Sequence, residues 1–277
     1  MPYQTVKTNG IELRCAVAGK GELILFLHGF PETSRMWDAQ LEHFSGSYLT
    51  VAPDLRGYNL SSKPNDVSAY RLPILVDDIK GLADHFGAEK IILVAHDWGG
   101  VVAWAFAHRY PERLKKLVII NAPHPEIFRR ELQSNPAQQK ASQYMQFFQS
   151  PRAEGKLLAK DCAGLLASFQ DAKGRSLLTK SDEAAYREAW NQPGALTAML
   201  NYYRAMFLGQ SDEAIKNVLP FPVLVVWGEA DRYLLPGNLQ GLEQFMSDLT
   251  LVRLPGVSHW VAAECPHRLN REIEKFL

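Results

Sequence analysis

Three residues of this chain have the types and positions that nucleophilic catalysis needs: Asp97, Asp231 and His259. Asp97 follows the apolar run Ile91-Ile92-Leu93-Val94-Ala95 and precedes a segment rich in Ala, Val, Trp and Phe that ends near Pro111. Ala95 stands two residues before it, and Gly99 and Gly100 follow it. Small residues at those offsets let the chain turn sharply from strand to helix and lift one side chain clear of the backbone. That is the elbow on which a nucleophile sits, here with Asp in place of the commoner Ser. A helix starting there aims free N–H groups and a positive dipole end at the acid. Asp is also a favoured N-cap, so the stretch alone fits capping as well as chemistry.

The other two residues also follow strand-like segments. Asp231 lies in Gly228-Glu229-Ala230-Asp231-Arg232, just after residues 223–227, and His259 lies in Gly256-Val257-Ser258-His259-Trp260, just after 249–254. Imidazole is suited to proton transfer near neutral pH, and a carboxylate partner fixes its tautomer and orientation. The order is nucleophile, acid, base, as in α/β-hydrolases. Glu229 and His267 are the nearest competing acid and histidine.

Elements that position these residues are readable from patterning. Thr8-Asn9-Gly10 reads as a tight turn joining strands over 3–7 and 11–18. Strands follow over 23–27, 49–52, 91–95 and 117–120, with helices over 34–44, 72–86 and from 97 onward. Residues 125–218 change texture: strand-like runs vanish, Gln, Ala, Lys, Ser and Leu dominate, and Pro136, Pro151 and Pro193 punctuate them. That segment reads as several helices forming a lid. Strands return at 221–227 and 249–254, and a helix over 266–277 closes the chain. The expected fold is α/β, a mainly parallel sheet flanked by helices, with a core over 1–124 and 219–277 interrupted by a helical cap over 125–218. Its first two strands form an antiparallel edge. In such sheets ligands bind at the carboxyl ends of the strands, where His28–Pro31, Asp97 and Asn121 all fall.

Composition narrows the class. The chain has 277 residues, 47% hydrophobic and 22% charged, the make-up of an ordinary globular protein. Its 30 basic and 30 acidic residues cancel, so no electrostatic footprint points to nucleic acid or an anionic membrane. No apolar run approaches the ~18 residues of a membrane span, and the first residues lack a secretory signal pattern. Cys15, Cys162 and Cys265 are far apart and odd in number, which suits a reducing compartment and matches no zinc site. The expectation is a cytoplasmic protein, monomer or homodimer.

Taken together, His28-Gly29-Phe30-Pro31, Asp54-Leu55-Arg56-Gly57-Tyr58, His96-Asp97-Trp98-Gly99-Gly100, Asp231 and Gly256-Val257-Ser258-His259-Trp260 resemble the epoxide hydrolase branch of the α/β-hydrolase family. The likeness runs over nearly the whole chain. It implies a helical cap over the core and a site between them. It also implies two cap tyrosines that hydrogen-bond the epoxide oxygen: Tyr144, in Tyr144-Met145-Gln146-Phe147-Phe148-Gln149-Ser150-Pro151, and Tyr203, in Asn201-Tyr202-Tyr203-Arg204. Adjacent helical residues point about 100° apart, so Tyr202 and Tyr203 cannot both face the site. For each tyrosine, amphipathic packing of the cap is the alternative.

The implied reaction is attack of Asp97 on an epoxide carbon, then hydrolysis of the alkyl ester by water that His259, held by Asp231, deprotonates. The backbone N–H groups of Phe30 and Trp98 would bind the oxyanion. Trp98, Phe147, Phe148 and Met206 are the expected substrate-lining residues, and His28 a brace for its loop. Epoxide and water are the implied partners, with no metal and no organic cofactor. The alternative is a haloalkane or haloacid dehalogenase using the same Asp nucleophile. Those enzymes usually carry Asn where Phe30 stands, or Arg where Trp98 stands. A ligand receptor without turnover is the remaining reading of a different class.

Overall fold

The computed structural model describes residues 1–206, 208, 215 and 217–277. Among these, eight strands form one sheet: β1 (Tyr3–Thr8), β2 (Ile11–Gly19), β3 (Leu23–Leu27), β4 (Leu49–Pro53), β5 (Ile91–His96), β6 (Leu114–Ile120), β7 (Leu219–Gly228) and β8 (Met246–Leu254). Their order is β1-β2-β4-β3-β5-β6-β7-β8. β2 pairs antiparallel with β1 and β4, and every other pairing is parallel. The β1–β2 hairpin turns on Asn9 (φ 45) and Gly10 (φ 73), two residues that accept positive φ.

Five helices belong to the sheet domain: α1 (Asp38–Phe44), α2 (Leu72–His85) and α3 (Asp97–Arg109) before β7, and α10 (Val261–Glu264) and α11 (Pro266–Phe276) after β8. Between β6 and β7 lie α4 (Pro125–Ser134), α5 (Pro136–Ala141), α6 (Tyr144–Phe148), α7 (Ala153–Leu166), α8 (Lys180–Trp190) and α9 (Ala195–Ala205). The described residues of that stretch hold no ladder strand, only an isolated bridge between Gln170 and Ser176. α7 is broken at its centre, where Lys160, Asp161 and Cys162 take left-handed φ of 51, 56 and 62.

The central strands are apolar on both faces because both faces are covered. Successive residues alternate between two cores. Leu93, Ala95, Leu117, Ile119, Val223 and Val225 pack with α2 and α3, and that core continues into the helical insertion. Ile92, Val94, Val118, Ile120, Leu224 and Val226 pack with Trp37, Leu41, Leu269 and Ile273 from the opposite helices. A one-residue slip of any central strand would exchange these two sets.

Three expected boundaries move. The single helix over 34–44 is instead a 3₁₀ turn, Ser34–Trp37, followed by α1. Ser34 donates its N–H and its hydroxyl to the buried Asp54 Oδ1 at 2.9 and 2.8 Å, which fixes the turn before the helix can begin. β6 starts at Leu114, three residues ahead of expectation, and β8 starts at Met246. Both early segments carry outward polar residues, Lys115 in one and Ser247 and Asp248 in the other, which mask the apolar signal.

The insertion is seated by buried polar ties as well as by apolar contact. Trp190 Nε1 donates to Pro31 O at 2.7 Å, Tyr202 Oη to Arg56 O at 2.8 Å, and Trp260 Nε1 to Ser168 O at 2.8 Å. Arg56 itself forks onto Asp78 of α2 at 2.7 and 2.6 Å, with both side chains about 5% exposed or less. Removing one partner leaves the other charge buried and unpaired. Arg56→Met is therefore expected to cost about 3–5 kcal/mol, read as a lower denaturant midpoint; a change under about 1 kcal/mol would mean that water replaces the guanidinium.

Candidate active site

The elbow forms as its small residues require. β5 ends at His96 in extended backbone, and Asp97 opens α3 with φ 49, a left-handed conformation that costs a non-glycine residue about 1–2 kcal/mol. A Cβ on Gly99 would overlap the carbonyl oxygens of Leu27 and His28, and one on Gly29 would overlap the Asp97 side chain. Glycine at both positions lets α3 lie against the end of β3 and brings the loop after β3 onto the acid. There the Phe30 N–H donates to Asp97 Oδ1 at 2.7 Å. Trp98 N–H belongs to the first turn of α3, whose amides have no helical acceptor.

Asp231 follows β7 and His259 follows β8, and the two meet at the carboxyl end of the sheet. His259 Nδ1 donates to Asp231 Oδ2 at 2.7 Å, which leaves Nε2 facing Asp97 Oδ2 at 3.7 Å. Asp231 is fully hydrogen-bonded: Asn121 Nδ2 donates to Oδ2 at 2.7 Å, and the N–H groups of Tyr233 and Leu234 donate to Oδ1 at 2.8 and 3.0 Å. Burial alone would raise its pKa, but the charge and hydrogen bond of His259 and those donors hold it below the usual carboxylate value. His259 moves the other way. Burial would lower it, yet the carboxylates of Asp231, Asp97 and Glu32 push it up to about 9.

The tyrosines named from sequence converge on the same place. Tyr203, on α9, packs edge-on against Phe30 at 5.4 Å and Trp98 at 5.1 Å, and Tyr144, on α6, lies 6.0 Å from Tyr203 between ring centroids. Both phenols sit well above their ordinary pKa, first through burial and then through nearby groups that include the Asp97 carboxylate. They remain protonated donors across the working pH range. Tyr202 sends its hydroxyl away to Arg56 O and packs on Tyr58, while its ring stands edge-on to Trp98 at 5.3 Å.

The expected lining residues separate. Trp98 and Phe148 join the ring cluster, Phe148 lying 5.1 Å from Phe30 and 4.8 Å from Tyr203. Phe147 lies one layer out, against Phe148 and under the Lys156 ammonium. Met206 caps α9 half-buried, three residues beyond Tyr203 and hence on a similar helix face. His28 is a brace: its buried Nε2 accepts from Leu55 N–H at 3.0 Å and its Nδ1 donates to Gly29 O. Glu229 pairs with Arg253 at 2.6 Å and His267 is exposed, so neither competes for the site.

Sequence reasoning gave no role to three supporting groups. Asn121, also at a positive φ of 39, donates from Nδ2 to Asp231 Oδ2 and to Gly228 O at 3.1 Å, while its Oδ1 accepts from Gly228 N–H at 2.8 Å. Behind the base, His96 bonds Glu32 Oε2 through Nδ1 at 2.9 Å and the His259 carbonyl through Nε2 at 3.0 Å. A carbonyl only accepts, so that Nε2 carries the hydrogen. The one signal available was position: Glu32 and His96 adjoin motif residues, and Asn121 stands at a strand end.

A strand–turn–helix elbow bearing Asp97, with an acid and a histidine supplied by two later strands, defines the class of an α/β hydrolase. The family described as alpha/beta hydrolase fold matches residues 22–266. The chain is 41% identical over 278 residues to the AB hydrolase superfamily protein YfhM of Bacillus subtilis (strain 168), covering 99% of this chain and 97% of that one. It is 35% identical to epoxide hydrolase 3 of Xenopus tropicalis, covering 99% of this chain and 77% of that one. Among solved structures it superposes with TM-score 0.93 on a point mutant of an epoxide hydrolase from Bacillus megaterium, at 38% identity and 99% coverage of both chains. Another mutant of that enzyme, complexed with its product (R)-3-[1]naphthyloxy-propane-1,2-diol, superposes at TM-score 0.92 with 38% identity and 99% coverage of both. The chain belongs to the epoxide hydrolase branch of the α/β-hydrolase fold family.

Proposed function

We propose that this protein hydrolyses an epoxide to a vicinal diol through a covalent ester on Asp97. The observation that carries the reading is one carboxylate with both a base and two protonated phenols in its neighbourhood. His259 Nε2 lies 3.7 Å from Asp97 Oδ2, and Tyr144 and Tyr203 lie close enough for the Asp97 charge to push both phenols up. A carboxylate needs no base to attack an sp³ carbon. One Asp97 oxygen bonds an epoxide carbon, the C–O bond of the ring breaks, and the alkoxide takes a proton at the tyrosine pair, which solvent restores. His259 then takes a proton from water, and the water oxygen adds to the Asp97 carboxyl carbon. The oxyanion is received by the N–H groups of Phe30 and Trp98. Collapse breaks the ester, the departing diol oxygen takes the proton back from His259, the second proton of the water leaves the Asp97 carboxyl for solvent, and one oxygen of the restored Asp97 carboxylate now comes from water.

Residues 125–218 serve as the cap of this site, carrying both tyrosines, Phe148 and Met206. Three unpaired thiols suit a reducing, cytoplasmic setting.

A single turnover of styrene oxide in H₂¹⁸O, followed by mass spectrometry of the Asp97 peptide, tests the route. Diol with ¹⁸O in Asp97 is the expected result; diol without label would mean direct attack by water. Halide release from haloalkanes without diol formation would assign the ester chemistry to dehalogenation. Loss of one phenol, in Tyr144→Phe or Tyr203→Phe, is expected to slow alkylation by on the order of 10²-fold while leaving ester hydrolysis intact. An unchanged alkylation rate in either variant would remove that hydroxyl from the mechanism.

A further inference from the structure

The cap reaches the catalytic acid through one buried amide. Gln138, on α5, is fully buried, and all four of its hydrogen-bonding positions are used. Its Nε2 donates to Tyr233 O at 2.7 Å and Ser142 Oγ at 2.9 Å, while Oε1 accepts from Leu235 N–H at 2.9 Å and Asn238 Nδ2 at 2.8 Å. Three of those partners lie in the segment that follows Asp231. The same segment folds back on the acid, since the N–H groups of Tyr233 and Leu234 donate to Asp231 Oδ1. Tyr233 is thus held by its carbonyl to Gln138 and by its amide to Asp231. Its ring stands edge-on to His259 at 5.4 Å and to Tyr144 at 5.6 Å. The neighbouring helix α4 grips the same segment further on, with Arg130 donating to Gly237 O at 3.1 Å and Gln240 O at 3.0 Å.

We propose that Gln138 is a positioning residue for ester hydrolysis, tying the seating of the cap to the placement of Asp231 and thereby to the aim of His259. Alkylation depends on Asp97 and the cap tyrosines, and the side-chain hydrogen bonds of Gln138 go to none of them. Hydrolysis depends on His259 pointing its Nε2 at a water, and the carboxylate that orients the imidazole is fixed by the two amides Gln138 holds in place. A cap that lifts from the core strips Tyr233 O, Leu235 N–H and Asn238 of their partner. The acid loop is then ordered only while the cap is seated, so the second half-reaction is confined to the closed site.

This inference rests on the two-step reading, and its test separates the two. Gln138→Met keeps the side-chain volume and removes every hydrogen bond; Gln138→Glu keeps the two acceptor contacts. The first arm follows the His259 imidazole by NMR titration in the free protein, without substrate. The second arm measures alkylation and hydrolysis separately in a single turnover of styrene oxide. Gln138→Met is expected to lower the His259 titration midpoint and slow hydrolysis by on the order of 10- to 100-fold, with alkylation within about twofold of the parent. Gln138→Glu should recover part of the hydrolysis rate. Arg35→Met, which loosens the cap at its other end by releasing Asp182, should leave the titration in place. An unchanged titration in Gln138→Met, equal slowing of both steps, or the same shift in Arg35→Met would overturn the positioning role. Failure of the parent protein to form any ester would overturn the two-step reading, and the titration alone would then decide the role of Gln138.

Discussion

Asp97→Ala is expected to abolish diol formation, with a fall in kcat of on the order of 10⁴-fold or more. The loss should be in chemistry and not in folding. Asp97 holds a strained left-handed φ of 49, which alanine tolerates no better, but the carboxylate it removes is partly accessible and the buried pair behind it is untouched. Substrate should still bind, because Phe30, Trp98, Phe148 and the two tyrosines remain. The measurement is single-turnover diol formation alongside equilibrium binding of an unreactive diol. Retention of even one hundredth of the parent rate would show that water attacks the epoxide directly, assisted by the phenols alone.

His259→Gln should split the reaction instead of stopping it. Alkylation needs only Asp97 and the phenols, so one equivalent of epoxide is consumed in a burst. Hydrolysis then stalls, with a loss of on the order of 10³- to 10⁴-fold, and the stable ester adds the mass of the substrate to the Asp97 peptide. A normal steady-state rate would sink the role assigned to His259.

The pH behaviour follows from the same charges. In the free protein His259 titrates at about 9, because the charges of Asp231, Asp97 and Glu32 outweigh the burial that would lower it. Ester formation removes the Asp97 charge, so the imidazole loses one of its stabilising partners at the moment a neutral base is required. Hydrolysis is therefore expected to rise with pH through a midpoint below about 9, while alkylation stays flat across that range. A hydrolysis midpoint at or above the free-protein value would contradict this coupling.

Stability follows the same groups. The contribution of His259, raised from 6.5, is complete below 6.5 and fades as pH rises through about 9. That of Asp231, lowered from 3.8, is complete above 3.8 and fades as pH falls through its lowered value. Their joint support is greatest between 3.8 and 6.5.

Much of this site was legible before any fold was known. The elbow announces itself because a sharp strand-to-helix turn demands small residues beside the acid, and Gly99 and Gly100 answer that demand locally. Asp231 is visible because it follows β7, whose burial on both faces leaves an unbroken apolar run over 223–227; His259 is visible because it follows the alternating strand pattern of β8, the exposed edge of the sheet. Tyr144 and Tyr203 were less exposed to view. Helical spacing separates Tyr203 from Tyr202, yet only motif likeness distinguished either residue from ordinary packing of an amphipathic helix.

Other features depend on long-range contact and leave no local trace. Phe147 and Phe148 are interchangeable by composition, and the orientation of α6 alone turns Phe148 toward Tyr203 and Phe147 toward Lys156. Asn121, Glu32 with His96, and Gln138 gain their roles from partners at sequence separations of 110, 64 and about 100. The residue types of Asp97, Asp231 and His259, their order and the strands beneath them were determined by the chain's own patterning, because those features reflect local backbone geometry and burial. Which amide holds Asp231, which rings gather beside Phe30 and Trp98 and how the helical insertion grips the loop after Asp231 were decided only by the tertiary structure, since a buried hydrogen bond is specified by the meeting of two distant segments and by neither alone.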